Sequence, residues 1–151
     1  MTYRVQLPIF TGPLDLLLHL IERAEIERLI ARIRERIPGA VLRTTVIVGL
    51  PGETDAAFDE LLAFIEDMRF DRLGAFIYSR EEGVPAYDFP DQVPEKTART
   101  RLDMLMRRQR KIALEAAASM AGRTVEVVID GKSRVDRRRW EGRTWADAPD
   151  V

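Results

Sequence analysis

The chain has 151 residues, of which 46% are hydrophobic and 32% charged, with a formal net charge of −1 and no cysteine. That is ordinary globular usage, with enough chain for one domain and a real core. It excludes disulfides and thiolate metal sites, and gives the whole chain no nucleic-acid signature.

In chain order, residues 3–9 are expected to form a short extended arm. Gly12 and Pro13 then open a helix, proline being tolerated at the first helical position because its missing N–H would be unpaired there anyway. Leu14, Leu17, Leu18 and Ile21 form an apolar stripe that Leu16 and Leu20 widen, and the helical pattern continues through Ile26, Ile30 and Ile33 until Pro38-Gly39 stops it. Residues 41–50, VLRTTVIVGL, are β-branched and almost uncharged, which predicts a strand covered on both faces as in a parallel sheet. Pro51-Gly52 turns the chain, and Thr54 is set to cap a helix whose inner face is Phe58, Leu61, Leu62, Ile65 and Met68. A second strand is expected at about residues 73–79, completing a strand–helix–strand unit.

After a loop rich in Gly, Pro and Asp, Pro94 starts a long helix. Leu102, Leu105, Met106, Gln109, Ile112, Ala113 and Ala116 supply its expected inward stripe, and Gly122 its stop. Residues 123–129 alternate like a half-buried strand, and Asp130-Gly131 is a turn signal. The fold class read from this order is α/β, with two parallel strands packed by helices and a small β piece at the end. Two parallel strands with open edges also favour self-association.

The candidates for chemistry are sparse. His19 is the one histidine, in a leucine-rich helix with no Cys, Asp or Glu at a spacing that makes a convincing metal site, so neither a metal site nor a nucleophile–base set is expected. Tyr78 and Ser79 end the second strand. Glu81, Glu82 and Asp88 follow in the loop at no spacing that fixes acid–base roles. The segment at residues 49–54 lacks the Gly-Lys-Ser/Thr ending of a phosphate-binding loop. Positive charge gathers late in the chain, with 14 Lys and Arg against 7 Asp and Glu between Glu95 and Arg143. Arg107, Arg108 and Lys111 on the long helix, and Arg138, Arg139 and Trp140 in the tail, are therefore candidate partner-binding residues. Arginine beside exposed indole stacks bases and binds phosphates, which makes RNA a candidate partner. No apolar run is long enough to cross a bilayer, and MTYRVQLPIF lacks a signal-peptide layout, so a cytoplasmic location is expected.

Four segments in order carry a family resemblance: VIVGLPGET, the loop YSREEGVPAYDFPDQVPE, the helix pattern RL-ML-RRQ-I, and the closing GRTWADAPDV. Together they resemble the radical-SAM methylthiotransferases of the ribosomal-protein type, over about residues 27–151. The resemblance implies the later part of a partial (β/α) barrel over 27–121 and the start of a small β-domain, TRAM, over 122–151. It implies a family that uses S-adenosylmethionine and [4Fe–4S] clusters to methylthiolate a protein of the small ribosomal subunit. By the same resemblance Thr45, Gly49, Pro51, Gly52 and Glu53 lie near S-adenosylmethionine. The cluster-binding cysteines of the family are missing, so the expectation is a truncated chain that is inactive alone and holds no cofactor by itself. Residues 1–26, with FTGPLDLLLHLIERAEI, resemble instead the amino-terminal arm and helix of the kleisin subunit of bacterial condensin. The two resemblances meet inside one helical pattern, as in a chimera, which leaves a helical interaction fragment as a further alternative.

Overall fold

The computed structural model describes residues 13–147, with side chains described from residue 23 onward. The expected arm, residues 1–12 of the kleisin-like segment and the side chain of His19 lie outside the described residues. The chain divides into two units, Met1–Ala40 and Val41–Val151.

The first unit contains helix α1 (Pro13–Arg36). It begins at the expected proline and runs unbroken past residue 26. Arg34 and Arg36 stand in its last turn, where positive charge suits the negative helix end. Gly39, at φ 83°, supplies the left-handed residue that turns the chain away.

The second unit begins with β1 (Arg43–Val48), α2 (Asp55–Met68) and β2 (Arg72–Ile77). β1 and β2 pair in parallel, Thr45 opposite Gly74 and Ile47 opposite Phe76. Below the first rung, Asp71 binds Leu42 in both directions. Its carboxylate accepts the Leu42 N–H at 2.8 Å, and its own N–H donates to the Leu42 carbonyl at 3.0 Å. Above the last rung, the Tyr78 N–H donates to the Val48 carbonyl at 2.9 Å. α2 forms as expected: the Thr54 hydroxyl accepts the Ala57 N–H at 3.1 Å, a cap that contributes about 1 kcal/mol. It ends at Arg69, whose φ of 44° is left-handed. Phe58, Leu62 and Ile65 are its buried stripe.

A short 3₁₀ turn (Pro85–Asp88) precedes α3 (Glu95–Ser119), which packs on β2, β1 and α2. The observed buried stripe is Ala98, Arg101, Leu105, Gln109 and Ile112. Leu105, Gln109 and Ile112 are buried as expected, while Ala98 and Arg101 join them in place of Leu102, Met106, Ala113 and Ala116. Met106 is exposed, and the charged Arg101 lies inside. Gln109 fits because its amide N–H donates to the Phe70 carbonyl at 2.9 Å.

The sheet is also covered differently from its sequence pattern. Val48 and Leu73 on one face are buried, while Ile47 and Phe76 on the other are 49% and 61% exposed. A continuous β-branched run is compatible with burial on both faces; among the described residues the helices of this unit cover one.

The chain ends in a hairpin of β3 (Val128–Lys132) and β4 (Trp140–Arg143). Residues 123–127 are irregular, and Asp130-Gly131 is no turn. It is a bulge inside β3, where pairing skips from Ile129 to Gly131. The reversal is made by residues 133–139, tied by Ser133, whose N–H donates to the Arg139 carbonyl at 2.9 Å. The result is mixed α/β with two small sheets.

Candidate functional site

The turn from β1 into α2 is closely constrained. Gly49 is buried at φ 77°, and a Cβ there would stand 2.6 Å from the Ala98 Cβ. Glycine is thus required twice, for the left-handed backbone and for the approach of α3. The Gly52 N–H donates to the Asp91 carbonyl at 2.9 Å, joining the turn to the loop before α3. Glu53 folds back so that its carboxylate accepts the Gly49 N–H at 3.0 and 3.1 Å.

Beneath this turn lies Arg101, 5% exposed. Its guanidinium donates to the Glu53 carboxylate at 2.6 Å, to the Glu53 carbonyl at 3.0 Å and to the Asp55 carboxylate at 2.7 Å. It also sits 5.5 Å from the centre of the Phe58 ring. Burial opposes its charge, and the bonds to Asp55 and Glu53 more than offset that, holding its pKa above the usual value. The Glu53 side chain is 11% exposed and that of Asp55 95%. The Glu53–Arg101 pair is therefore the desolvated one, the pair in which each charge depends on the other.

The five residues expected near S-adenosylmethionine separate into two places. Gly49, Pro51, Gly52 and Glu53 form the turn, with Glu53 directed inward. Thr45 stands on the open sheet face beside Gly74, in a cavity of about 490 Å³ that Phe76, Arg43 and Arg72 also line. The Tyr78 hydroxyl is buried and has no hydrogen-bond partner among the described residues. Glu81, Glu82 and Asp88 are exposed. Arg101 and Asp55 were not legible as site residues: 48 residues separate Arg101 from Glu53, and no local pattern marks an arginine that turns inward.

The basic residues are dispersed too. Arg108 bonds Glu66 of α2, whereas Arg107 and Lys111 are exposed. In the hairpin, Arg138 and Arg139 both reach Asp136, at 3.3 and 3.5 Å. Trp140 is 63% exposed, with the Lys132 ammonium 5.1 Å from its ring centre. Asp147 joins the hairpin region to the sheet through Arg72 at 2.7 Å.

No protein-family model matches the chain. Individual proteins do. A ribosomal protein uS12 methylthiotransferase RimO from Anaeromyxobacter sp. (strain K) is 48% identical over 123 residues, covering 82% of this chain and 26% of the relative. The protein of that name from Geotalea uraniireducens is 48% identical over 128 residues, 85% and 29% of the two lengths. That from Thermosipho africanus is 46% identical over 145 residues, 91% and 32%. Over most of its length the chain is RimO-like. It spans about a quarter to a third of the length of these curated relatives.

Two groups implied by the family can be tested against the residues present. A [4Fe–4S] cluster does not fit, because its donors are thiolates and the chain has no cysteine. S-adenosylmethionine fits better. The open face offers the apolar Ile47 and Phe76, with the Thr45 hydroxyl at a cavity toward the amino ends of the two strands, while the glycine turn stands at their carboxyl ends, where ligands of parallel α/β sheets bind. Among the described residues no group of three or more His, Asp or Glu is placed to hold a metal ion, and no helix is long and apolar enough to cross a membrane.

Proposed function

We propose that this chain is the S-adenosylmethionine-facing portion of a radical-SAM methylthiotransferase that modifies a protein of the small ribosomal subunit. In this reading residues 27–121 belong to the partial barrel and residues 122–151 to the TRAM-like piece, and the protein works in the cytoplasm. The observation that carries it is the 48% identity over 123 residues to a RimO protein. The exposed face of the β1–β2 pair supports it physically, as a sheet face and strand ends left free for a ligand. Thr45, Ile47 and Phe76 would hold S-adenosylmethionine from the face, with Gly49, Pro51 and Gly52 at its edge. When bound, that molecule supplies a carbon activated by its sulfonium. The residues here bind and orient it. No residue of this chain holds the cluster, so the chain alone does no methylthio transfer.

Titrating S-adenosylmethionine into the ¹⁵N-labelled chain tests the reading. The expected result is saturable shifts confined to residues 45–53 and 74–78. Shifts spread evenly over the chain, or none, would remove the site. Anaerobic iron–sulfide reconstitution is expected to give no absorbance near 400 nm, and stoichiometric iron and sulfide bound to the chain would overturn its inertness.

A second reading is favoured by the exposure of Trp140 among basic side chains. Here Arg107 and Lys111 on α3, and Arg138, Arg139 and Trp140 on the hairpin, engage RNA, while Arg108 is engaged with Glu66. Binding to single-stranded RNA that weakens steeply between low and physiological salt is the expected sign. Absence of binding at low salt would end this reading.

A further inference from the structure

Arg101 is the most deeply buried charged residue among those described, and all three of its acceptors belong to one short stretch, Glu53 and Asp55. If the site needed only to be filled, an apolar side chain of similar volume would serve as well or better, because desolvating a guanidinium is costly. The planar fork does something an apolar chain does not: it addresses a carboxylate, a carbonyl and a second carboxylate in fixed directions. The Glu53 carboxylate it holds is the same one that accepts the Gly49 N–H. Remove the positive charge and Glu53 becomes a buried anion with a single backbone donor. Its favourable course is then to swing out to water, releasing the Gly49 N–H.

The other ties of the turn come from the same side. Ala98, one turn before Arg101 on α3, meets Gly49, and the Asp91 carbonyl just upstream of α3 accepts from Gly52. We propose that Arg101 is the positioning residue of the β1–α2 turn: through Glu53 it fixes the Gly49 amide and presets the turn before any ligand arrives. It touches no ligand itself. Its effect on ligand affinity rests on the reading that S-adenosylmethionine lies against this turn.

Amide hydrogen exchange on the full chain separates the two. In the wild type both the Gly49 and Tyr78 amides, each hydrogen-bonded, are expected to be protected. In Arg101→Met the Gly49 amide is expected to exchange about tenfold faster or more, the scale of one lost charge-assisted hydrogen bond, while Tyr78, bonded to Val48 at the strand end, is unchanged. A uniform rise at both amides would make Arg101 a general fold stabiliser and overturn the proposal, as would no change at Gly49. Should Arg101→Met fail to fold, Arg101→Lys keeps a charge for Glu53 without the fork. It is expected to raise Gly49 exchange by an intermediate factor, and full wild-type protection in the lysine variant would overturn the role of the fork. In parallel, S-adenosylmethionine titration is expected to show about tenfold weaker binding for Arg101→Met and partial rescue by lysine. If the wild type itself shows no binding, the ligand reading falls, and the exchange ratio still decides the role of Arg101.

Discussion

Among the described residues of the second unit every buried apolar side chain lies between Val48 and Ile112, whereas from Gly122 to Asp147 the single buried residue is Ser133. The strand–helix–strand region and its covering helix are held by apolar packing around Ile65, Leu105 and Val48, all essentially sealed from water. The hairpin has equally apolar letters, Val128, Ile129 and Trp140, and all three are more than half exposed. It is held by polar devices: the Arg143 guanidinium on Asp130 at 2.8 to 3.0 Å, the Ser133 and Asp136 bonds in its loop, and the Arg72–Asp147 link. The contrast teaches that hydrophobic composition alone does not make a core. A two-stranded ribbon has no third layer to press against, and is marginal in water without such pins.

The comparison predicts a hierarchy of effects. Leu105→Ala removes a fully buried side chain and is expected to lower stability by about 2–5 kcal/mol in urea denaturation. Val128→Ala in the hairpin is expected to stay within about 0.5 kcal/mol. Equal costs would erase the distinction between the regions. Next is Gly49→Ala, which meets Ala98 and a disfavoured φ together, at about 2–3 kcal/mol. Gly52→Ala, at φ 79° with nothing within 4 Å, is expected to cost about 1–2 kcal/mol and so isolates the backbone part.

Gly142→Ala sharpens the hairpin side. Its Cβ would fall 2.6 Å from the Val128 carbonyl oxygen, so pairing of β3 with β4 is expected to loosen by about 1–2 kcal/mol. Exchange of hairpin amides should accelerate while those of β1 and β2 hold.

The smallest effect is on pH. Asp147 accepts the Thr144 N–H, the Arg72 guanidinium and the Thr144 hydroxyl, which together bring its pKa from 3.8 down to about 2. A carboxylate depressed on folding stabilises fully above its unfolded value and loses that stabilisation as pH falls through its folded one. The link to Arg72 is thus complete above about pH 4 and gone below about pH 2. Its half-exposed setting limits the contribution to about 1 kcal/mol or less. Asp147→Asn should flatten the dependence of hairpin exchange on pH in that window, and an unchanged profile would assign it elsewhere.

Much of this was legible in the sequence, and the reasons are local. Pro13 and Pro38-Gly39 bound α1, the VLRTTVIVGL run contains β1, and Thr54 caps α2 as its position requires. What escaped depends on partners far along the chain. Arg101 is among six basic residues of α3 between Arg99 and Lys111, and only the spatial position of Glu53 and Asp55 turns it inward. With Ala98 and Arg101 on the buried side, Met106 is left outside. Asp130-Gly131 carries turn letters, yet the backbone spends the glycine, at φ 155°, on a bulge and reverses later. In the site, the turn glycines were readable because φ is a local property. The inward course of Glu53 was not, since its acceptor role depends on a charge from another helix.

The closures at Leu42–Asp71 and Tyr78–Val48 also have a mechanical consequence. Tension applied along β1 from its start and along β2 from its end would load the parallel rungs side by side, in shear, instead of opening them one after another. With each end of the ladder tied, a one-residue slip must break both ties and invert every side chain at once. Drawn through a narrow pore, this stretch should therefore stall as a single yield event, where the hairpin peels away gradually.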